Sequence, residues 1–452
     1  MKLLRRSEMW LRRLGQRRVV FAAAAVIGFF LLISVALKVL EAAGLVDSNR
    51  LDDAVTHVRP KLLKEIQNAQ GAFFTVDDCC MLLSVMPQQK PPGVYRIFFM
   101  GSSFALGTPY AGQENWGRKY GDIASWLHAM LVLRYPAGKF EVIDAGIGGA
   151  NSSRIRNVLN MMVKAQPDLV ILATGNNEAH IPNYVVKKLH EWIVYRLLKK
   201  LLLRRRPLEE RPAYYAPTAS LAEINELFQK NIRAMAETAR RRGFRLMLTK
   251  MPINLTYDYR FNKNIFNIHK SYLALDQPII RGVALQDQGH CAEAIAEFER
   301  SANRGMASKL IGDCLATLGR YDEAKAAYLD YAARLPFGRM SPLNNAFLEQ
   351  FARAQGLPLI DLERALDEVS PHGIPTQEYF HDSCHMTWRG YFLMAEEIMN
   401  TVIASGVLPA AFGAPGPPPS KEEIIERFHW DNLDALQKKY VDMYTRMGIA
   451  NP

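Results

Sequence analysis

The segment Val94-Tyr95-Arg96-Ile97-Phe98-Phe99-Met100-Gly101-Ser102-Ser103-Phe104-Ala105-Leu106-Gly107 decides the fold. Its first seven residues are apolar at all but one place, a run too short for an ordinary helix, and they read as a strand buried on both faces. A glycine-flanked turn follows and carries two serines. Working outward, Phe140 to Ala145, Leu169 to Thr174, Phe244 to Lys250 and Leu357 to Leu362 repeat the pattern, with helical periods between them. Strands separated by helical segments require crossover connections, so the expected class is α/β, with a mostly parallel sheet covered by helices on both faces.

Open sheets of this kind place ligands at the carboxyl ends of their strands, so the strand ends are where chemistry is sought. The first offers Ser102 and Ser103. The second ends in Asp144-Ala145-Gly146-Ile147-Gly148-Gly149-Ala150-Asn151-Ser152, where glycines leave backbone N–H groups unobstructed. A dinucleotide loop is the rival, but the G-x-G-x-x-G spacing is absent. The third ends in Thr174-Gly175-Asn176-Asn177-Glu178, which brings amide side chains to the same rim. Near the end of the domain stands Phe380-His381-Asp382-Ser383-Cys384-His385. A carboxylate and an imidazole three residues apart can both serve one serine, the acid orienting the ring that takes the serine proton. The same stretch holds four possible metal ligands, His381, Asp382, Cys384 and His385, but adjacent ligands do not readily wrap one ion tetrahedrally. No metal and no other cofactor is expected.

Strand ends that supply Ser, Gly, Asn and then Asp-x-x-His, in that order, resemble the SGNH hydrolase superfamily, also called GDSL esterases. The likeness covers roughly residues 94 to 260 and 340 to 405. It implies a flavodoxin-like three-layer α/β/α sandwich and a serine esterase that needs no metal. It places the nucleophile on Ser103, the base on His385 and the acid on Asp382, with an oxyanion hole from Ser103, Gly149 and Asn177. Asn231 to Gly243, then Phe244 to Lys250 and Pro252, resemble the family's helix, strand and Pro-containing loop. Two positions depart from the pattern: Ser102 replaces the aspartate of the G-D-S signature, and Glu178 replaces the acid of G-x-N-D. An α/β-hydrolase also orders Ser, Asp, His, but Ala105 breaks its G-x-S-x-G elbow.

The flanks bear on where such chemistry would act. Val19 to Leu37 contains no charge over nineteen residues. At about 1.5 Å per residue it reaches roughly 28 Å as a helix, enough to span a bilayer. Seven Lys/Arg precede it against Glu8 alone, so the expected topology keeps the tail inside and exports the rest. A cleaved signal peptide is the competing reading, disfavoured by the length of the run. The formal charge of +11 is local: residues 1–18 hold +6 and 187–206 hold +7, leaving about −2 elsewhere. That distribution points to membrane surfaces and not to nucleic acid. Five cysteines in 452 residues exclude a disulfide scaffold. Cys291 and Cys314 are candidates for a pair, with buried free thiols the default, and the adjacent Cys79 and Cys80 are poorly placed to bridge.

The expected organisation is a cytoplasmic tail (1–18), a transmembrane anchor (19–39), a stalk and linker partly helical between Asp47 and Gln70 (40–93), the first part of the hydrolase domain (94–269), a helical insertion (270–338), its second part (339–406), and a Pro-rich linker with one C-terminal helix (407–452). In the insertion Gly289-His290-Cys291-Ala292-Glu293-Ala294 recurs as Gly319-Arg320-Tyr321-Asp322-Glu323-Ala324, an offset of thirty that resembles a tetratricopeptide pair and would interlock small residues with Phe298 and Tyr328. Ile181 to Leu203 mixes Trp192 and leucines with lysines, the composition of an interfacial helix and equally of a domain helix with a solvated basic face. The function expected is hydrolysis of O-acyl esters, on envelope glycans or lipid-linked substrates, from a bacterial inner-membrane anchor facing the periplasm. Acyl transfer by the same residues, or a silent tethered scaffold holding a protein partner through 270–338, are the alternatives.

Overall fold

The computed structural model describes residues 21, 25, 28 to 40, 63 to 68, 71 to 76, 86 to 110, 120 to 179, 194 to 195, 220 to 261 and 274 to 446. The chain divides into two compact units. One comprises residues 1–59 and 182–214, the other 60–181 and 215–452. In the first, residues 28 to 40 are helical. Among the described residues no helix is long and apolar enough to cross a membrane. The expected span is described only at Phe21, Ala25 and from residue 28 onward. Most of 181–203, expected as an interfacial helix, and Cys79 with Cys80 lie outside the described residues.

The second unit opens with a correction to the expected partly helical stalk. β1 (Leu63–Asn68), β2 (Gly71–Val76) and β3 (Met86–Pro87) form a small antiparallel sheet. Phe73, Phe74, Val76 and the β-branched Thr75 favour the extended chain, and local polarity was a poor guide to it.

The main sheet holds β4 (Val94–Gly101), β5 (Lys139–Gly146), β6 (Leu169–Ala173), β7 (Arg245–Lys250) and β8 (Leu359–Asp361), all parallel, in the order β5-β4-β6-β7-β8. In main-sheet numbering that is 2-1-3-4-5, the flavodoxin-like arrangement. α1 (Ile123–Arg134) and α10 (Trp388–Ala404) share one face, where Trp126 meets Phe392 at 5.0 Å and Trp388 at 6.2 Å. α2 (Ser152–Met162), α3 (Leu221–Arg242) and α8 (Pro342–Gln355) share the other, where Phe228 meets Phe347 at 6.3 Å. α9 (Leu362–Val369) follows β8 and packs on α10.

Register sets up the site. Gly101 pairs with both Gly146 and Ala173, so three loops leave the sheet at one level. They also touch. A Cβ at 101 would lie 1.8 Å from the Ala173 carbonyl oxygen, and one at 146 would lie 2.0 Å from the Leu106 nitrogen, so both places require glycine.

Between β7 and α8 stand α4 (Gln277–Asp287), α5 (Cys291–Phe298), α6 (Arg304–Thr317) and α7 (Tyr321–Arg334), two helical hairpins. The offset of thirty is repeated in packing, because a Cβ at Gly282 would strike the Phe298 ring and one at Gly312 the Tyr328 ring. Glycine and aromatic, more than alanine, make the interlock. Cys291 and Cys314 are buried free thiols.

The C-terminal segment differs from the expected linker and single helix. Phe412 packs on Tyr95 and Phe140, and Gly416 exchanges backbone and guanidinium hydrogen bonds with Arg134. Ser420 caps α11 (Lys421–Phe428), which ends at His429 in a left-handed conformation, and α12 (Leu433–Arg446) follows. Trp430 between them inserts against Trp126 at 4.8 Å. Burial of large aromatics holds this segment on the domain.

Candidate active site

The turn after β4 puts Ser103 at the sheet rim, stapled by hydrogen bonds from Leu106 N to Ser102 O and from Thr108 N to Ser103 O, each 3.0 Å. His385 Nε2 lies 2.7 Å from Ser103 Oγ, and His385 Nδ1 lies 2.6 Å from Asp382 Oδ2. The other carboxylate oxygen accepts from the backbone N–H groups of Cys384 (2.9 Å) and His385 (2.8 Å). The loop therefore grips its own acid. Ser103 is 8% exposed and the His385 side chain 17%, so the dyad is largely buried with a small part of each group left accessible among the described residues.

Electrostatics follow from that geometry. Burial alone would raise the Asp382 carboxyl, but the facing imidazole and the N–H donors outweigh it and hold the group below its ordinary value. Burial likewise disfavours the His385 cation, yet the Asp382 carboxylate prevails and holds the imidazole well above 6.5. Such a ring is a strong acceptor for the serine proton. Burial pushes the Cys384 thiol up, so it remains protonated beside the pair.

Gly149 and Asn177 stand on the adjoining loops. Gly149 has φ of +66°, a left-handed conformation in which glycine carries no Cβ penalty. The two loops are joined where Asn177 Nδ2 donates to Ala150 O at 3.4 Å, and the Gly149 loop reaches the Ser103 turn through Ile147 N to Gly101 O at 3.0 Å. Asn151, which the sequence offers as part of the glycine loop, caps α2 by accepting from Arg154 N.

Several supporting groups were not singled out in the sequence. Asn254, in the Pro-containing loop after β7, donates to Asp382 O and Gln377 Oε1, both at 3.0 Å. Arg339, fully buried, donates to Asn254 O at 3.2 Å and stacks over Tyr331 at 4.0 Å, linking α7 to that loop. Tyr444 of α12 lies 6.4 Å from the His385 ring, and Tyr440 5.3 Å from Tyr110. A lone tyrosine 59 residues downstream gives no local signal of such contact. His381 bonds Tyr110 Oη through Nε2 at 3.0 Å, and burial lowers its pKa to about 4, so it stays neutral. Of the four metal-type residues, Asp382, Cys384 and His385 hold ligand atoms within 4.8 Å of one another, with Asp382 and His385 already joined.

No protein-family model and no curated protein matches the chain. Solved structures similar to it include a GDSL-like lipase from Bacteroides thetaiotaomicron, 14% identical over 69% of this chain and 88% of that one, with a TM-score of 0.32. An acetylxylan esterase from Geobacillus stearothermophilus is 11% identical over 68% and 94%, with a TM-score of 0.35. An α/β hydrolase from the metagenome of Lake Arreo, Spain, is 12% identical over 70% and 97%, with a TM-score of 0.33. The reading of the site rests on its own geometry.

Proposed function

We propose that this chain is a serine-dependent ester hydrolase of the SGNH type. The observation that carries the reading is the unbroken hydrogen-bonded line from Asp382 through His385 to Ser103. Ser103 Oγ attacks the ester carbonyl carbon as its proton passes to His385 Nε2, while Asp382 keeps the Nδ1 proton in place and stabilises the imidazolium. The tetrahedral oxyanion is held by the N–H groups of Ser103 and Gly149 and by the Asn177 amide, and loss of one such donor costs about 3 to 4 kcal/mol. Collapse expels the alcohol, which takes the proton from His385. Water, activated by the same imidazole, then releases the acid from Ser103.

The substrate proposed is an O-acyl ester of an envelope glycan or lipid-linked molecule, met by a membrane-tethered enzyme with its site on the exported side. Support comes from the uncharged run 19–37 behind a basic tail, and from Phe29, Leu32, Val35 and Val39, which remain exposed on the helix. The two hairpins of 277–334 are the proposed surface for a protein partner.

The test is labelling by a fluorophosphonate together with turnover of a chromogenic acetate ester, by the wild type and Ser103→Ala. Adduct mass on the peptide containing Ser103, and turnover lost in the variant, are the expected results. Equal turnover by both proteins would end the reading.

A further inference from the structure

One buried acid stands beside the site without a part in the reaction just described. Glu178 is 4% exposed, and both its carboxylate oxygens are engaged by one residue: Oε1 accepts Ser152 N at 2.8 Å and Oε2 accepts Ser152 Oγ at 2.6 Å. Ser152 Oγ in turn accepts from Asn231 Nδ2 of α3 at 2.9 Å. Ser152 opens α2 just beyond the glycine loop, and its N–H is one of the unpaired donors of a helix start, where an acid is well placed. The helix does not need Glu178 as its cap, since Asn151 already serves.

What Glu178 adds is a second tie between two loops. Asn177, its neighbour, reaches Ala150 O at 3.4 Å, a long single contact about which the carboxamide could swing. Glu178 reaches Ser152 with two short ones. Consecutive residues of the 174–179 loop are thus pinned to positions 150 and 152, on either side of the helix cap, and a two-point fastening removes the rotation that one point allows. Burying a carboxyl is unfavourable unless its hydrogen bonds are made, and here all the compensation comes from the residue that fixes the Gly149 loop.

We infer that Glu178 is a positioning residue for the oxyanion hole, holding the Asn177 carboxamide at a fixed distance from the Gly149 loop through Ser152. The inference rests on the proposed esterase reading and names what keeps its acceptor geometry rigid. Oxyanion donors act through preorganisation, so slack in the tie is felt at the transition state more than in substrate binding.

A double-mutant cycle tests this. Glu178→Ala should lower kcat at least tenfold with KM changed less than twofold. Glu178→Gln, whose amide can accept from Ser152 N and donate to Ser152 Oγ, should restore kcat to within threefold of wild type. In an Asn177→Ala background, Glu178→Ala should have less than a twofold further effect. Independent, multiplicative losses from Asn177→Ala and Glu178→Ala would overturn the inference, as would a Gln variant as poor as Ala.

Hydrogen exchange over residues 147–153 and 174–179 supplies a readout that needs no turnover. Glu178→Ala should speed exchange in both segments together, and unchanged protection in either overturns the tie even if the wild type hydrolyses nothing. Should Glu178→Ala fail to fold, Ser152→Ala removes the hydroxyl arm while leaving the Ser152 N–H to Glu178 and the Asn231 Nδ2 bond to Ser153 Oγ, and the same coupling to Asn177 is expected of it. Absence of Ser103-dependent turnover with joint loosening of the two loops would reject the esterase and keep the tie.

Discussion

His385 Nε2 and Ser103 Oγ are 2.7 Å apart although 282 residues separate them in the chain. The contact depends on Gly101 standing level with Ala173 in the central strands, and on a loop after α9 that returns the imidazole to the same rim. In the proposed esterase reaction Ser103 is thereby oriented before substrate arrives, which is how orientation lowers a barrier.

In the proposed reaction His385 must be neutral to accept the Ser103 proton. Because Asp382 keeps the His385 pKa well above 6.5, kcat/KM should rise with pH through an inflection above that value. In Asp382→Asn the supporting charge is gone while burial remains, so the inflection should move to lower pH and the plateau should fall by about 10⁴-fold. A pH profile of ester turnover by both proteins checks this.

Burial raises the Glu178 pKa from 4.5 to about 7, against the pull of its Ser152 hydrogen bonds. Unfolded chains release that proton near 4.5 and the folded protein only near 7, so its contribution is fully present below 4.5 and is lost as pH rises through 7. The loss is on the order of 3 kcal/mol. Denaturant unfolding at pH 4.5 and pH 7.5 should show this decline in the wild type and its absence in Glu178→Gln.

Asn254→Ala should remove two hydrogen bonds from the loop that carries the acid. A stability loss of about 1 to 3 kcal/mol is expected. Asp382 would then be less firmly aimed, and kcat should fall while KM holds. Steady-state kinetics beside thermal melts separate the two effects.

Gly101→Ala sets a methyl group 1.8 Å from the Ala173 carbonyl, backbone against backbone in the centre of the sheet. Neither strand can yield without losing its ladder, so destabilisation above about 4 kcal/mol is expected. Gly243→Ala, at an open helix end with φ of +77°, should cost only about 1 kcal/mol. Urea midpoints of the two variants compare the clash with simple backbone strain.

How far the residues could be read in advance depended on range. The five strands were legible because burial on both faces leaves an unbroken apolar run, as in Val94 to Met100, whatever surrounds it. Ser103, Asp382 and His385 were legible because each sits at the end of such a run or in one short stretch. β1 and β2 were not, since β1 mixes Leu63 and Ile66 with polar residues and the apolar run of β2 is too short to stand out. The packing of 407–446 was hidden for another reason: Pro and Gly announce a turn equally well in a free linker and in one fastened to Arg134.

Composition and pattern by themselves determined an α/β chain with a serine at a strand end and an acid and an imidazole together in one later stretch, because those properties follow from local hydrophobicity and from residue chemistry. Only the tertiary structure decided that the three share one hydrogen-bonded line, that Glu178 fastens two loops through Ser152, and that the Tyr444 ring stands 6.4 Å from that of His385. Each of these depends on where strands and helices end in space relative to one another, and strand register and packing, not adjacency in the chain, fix such distances.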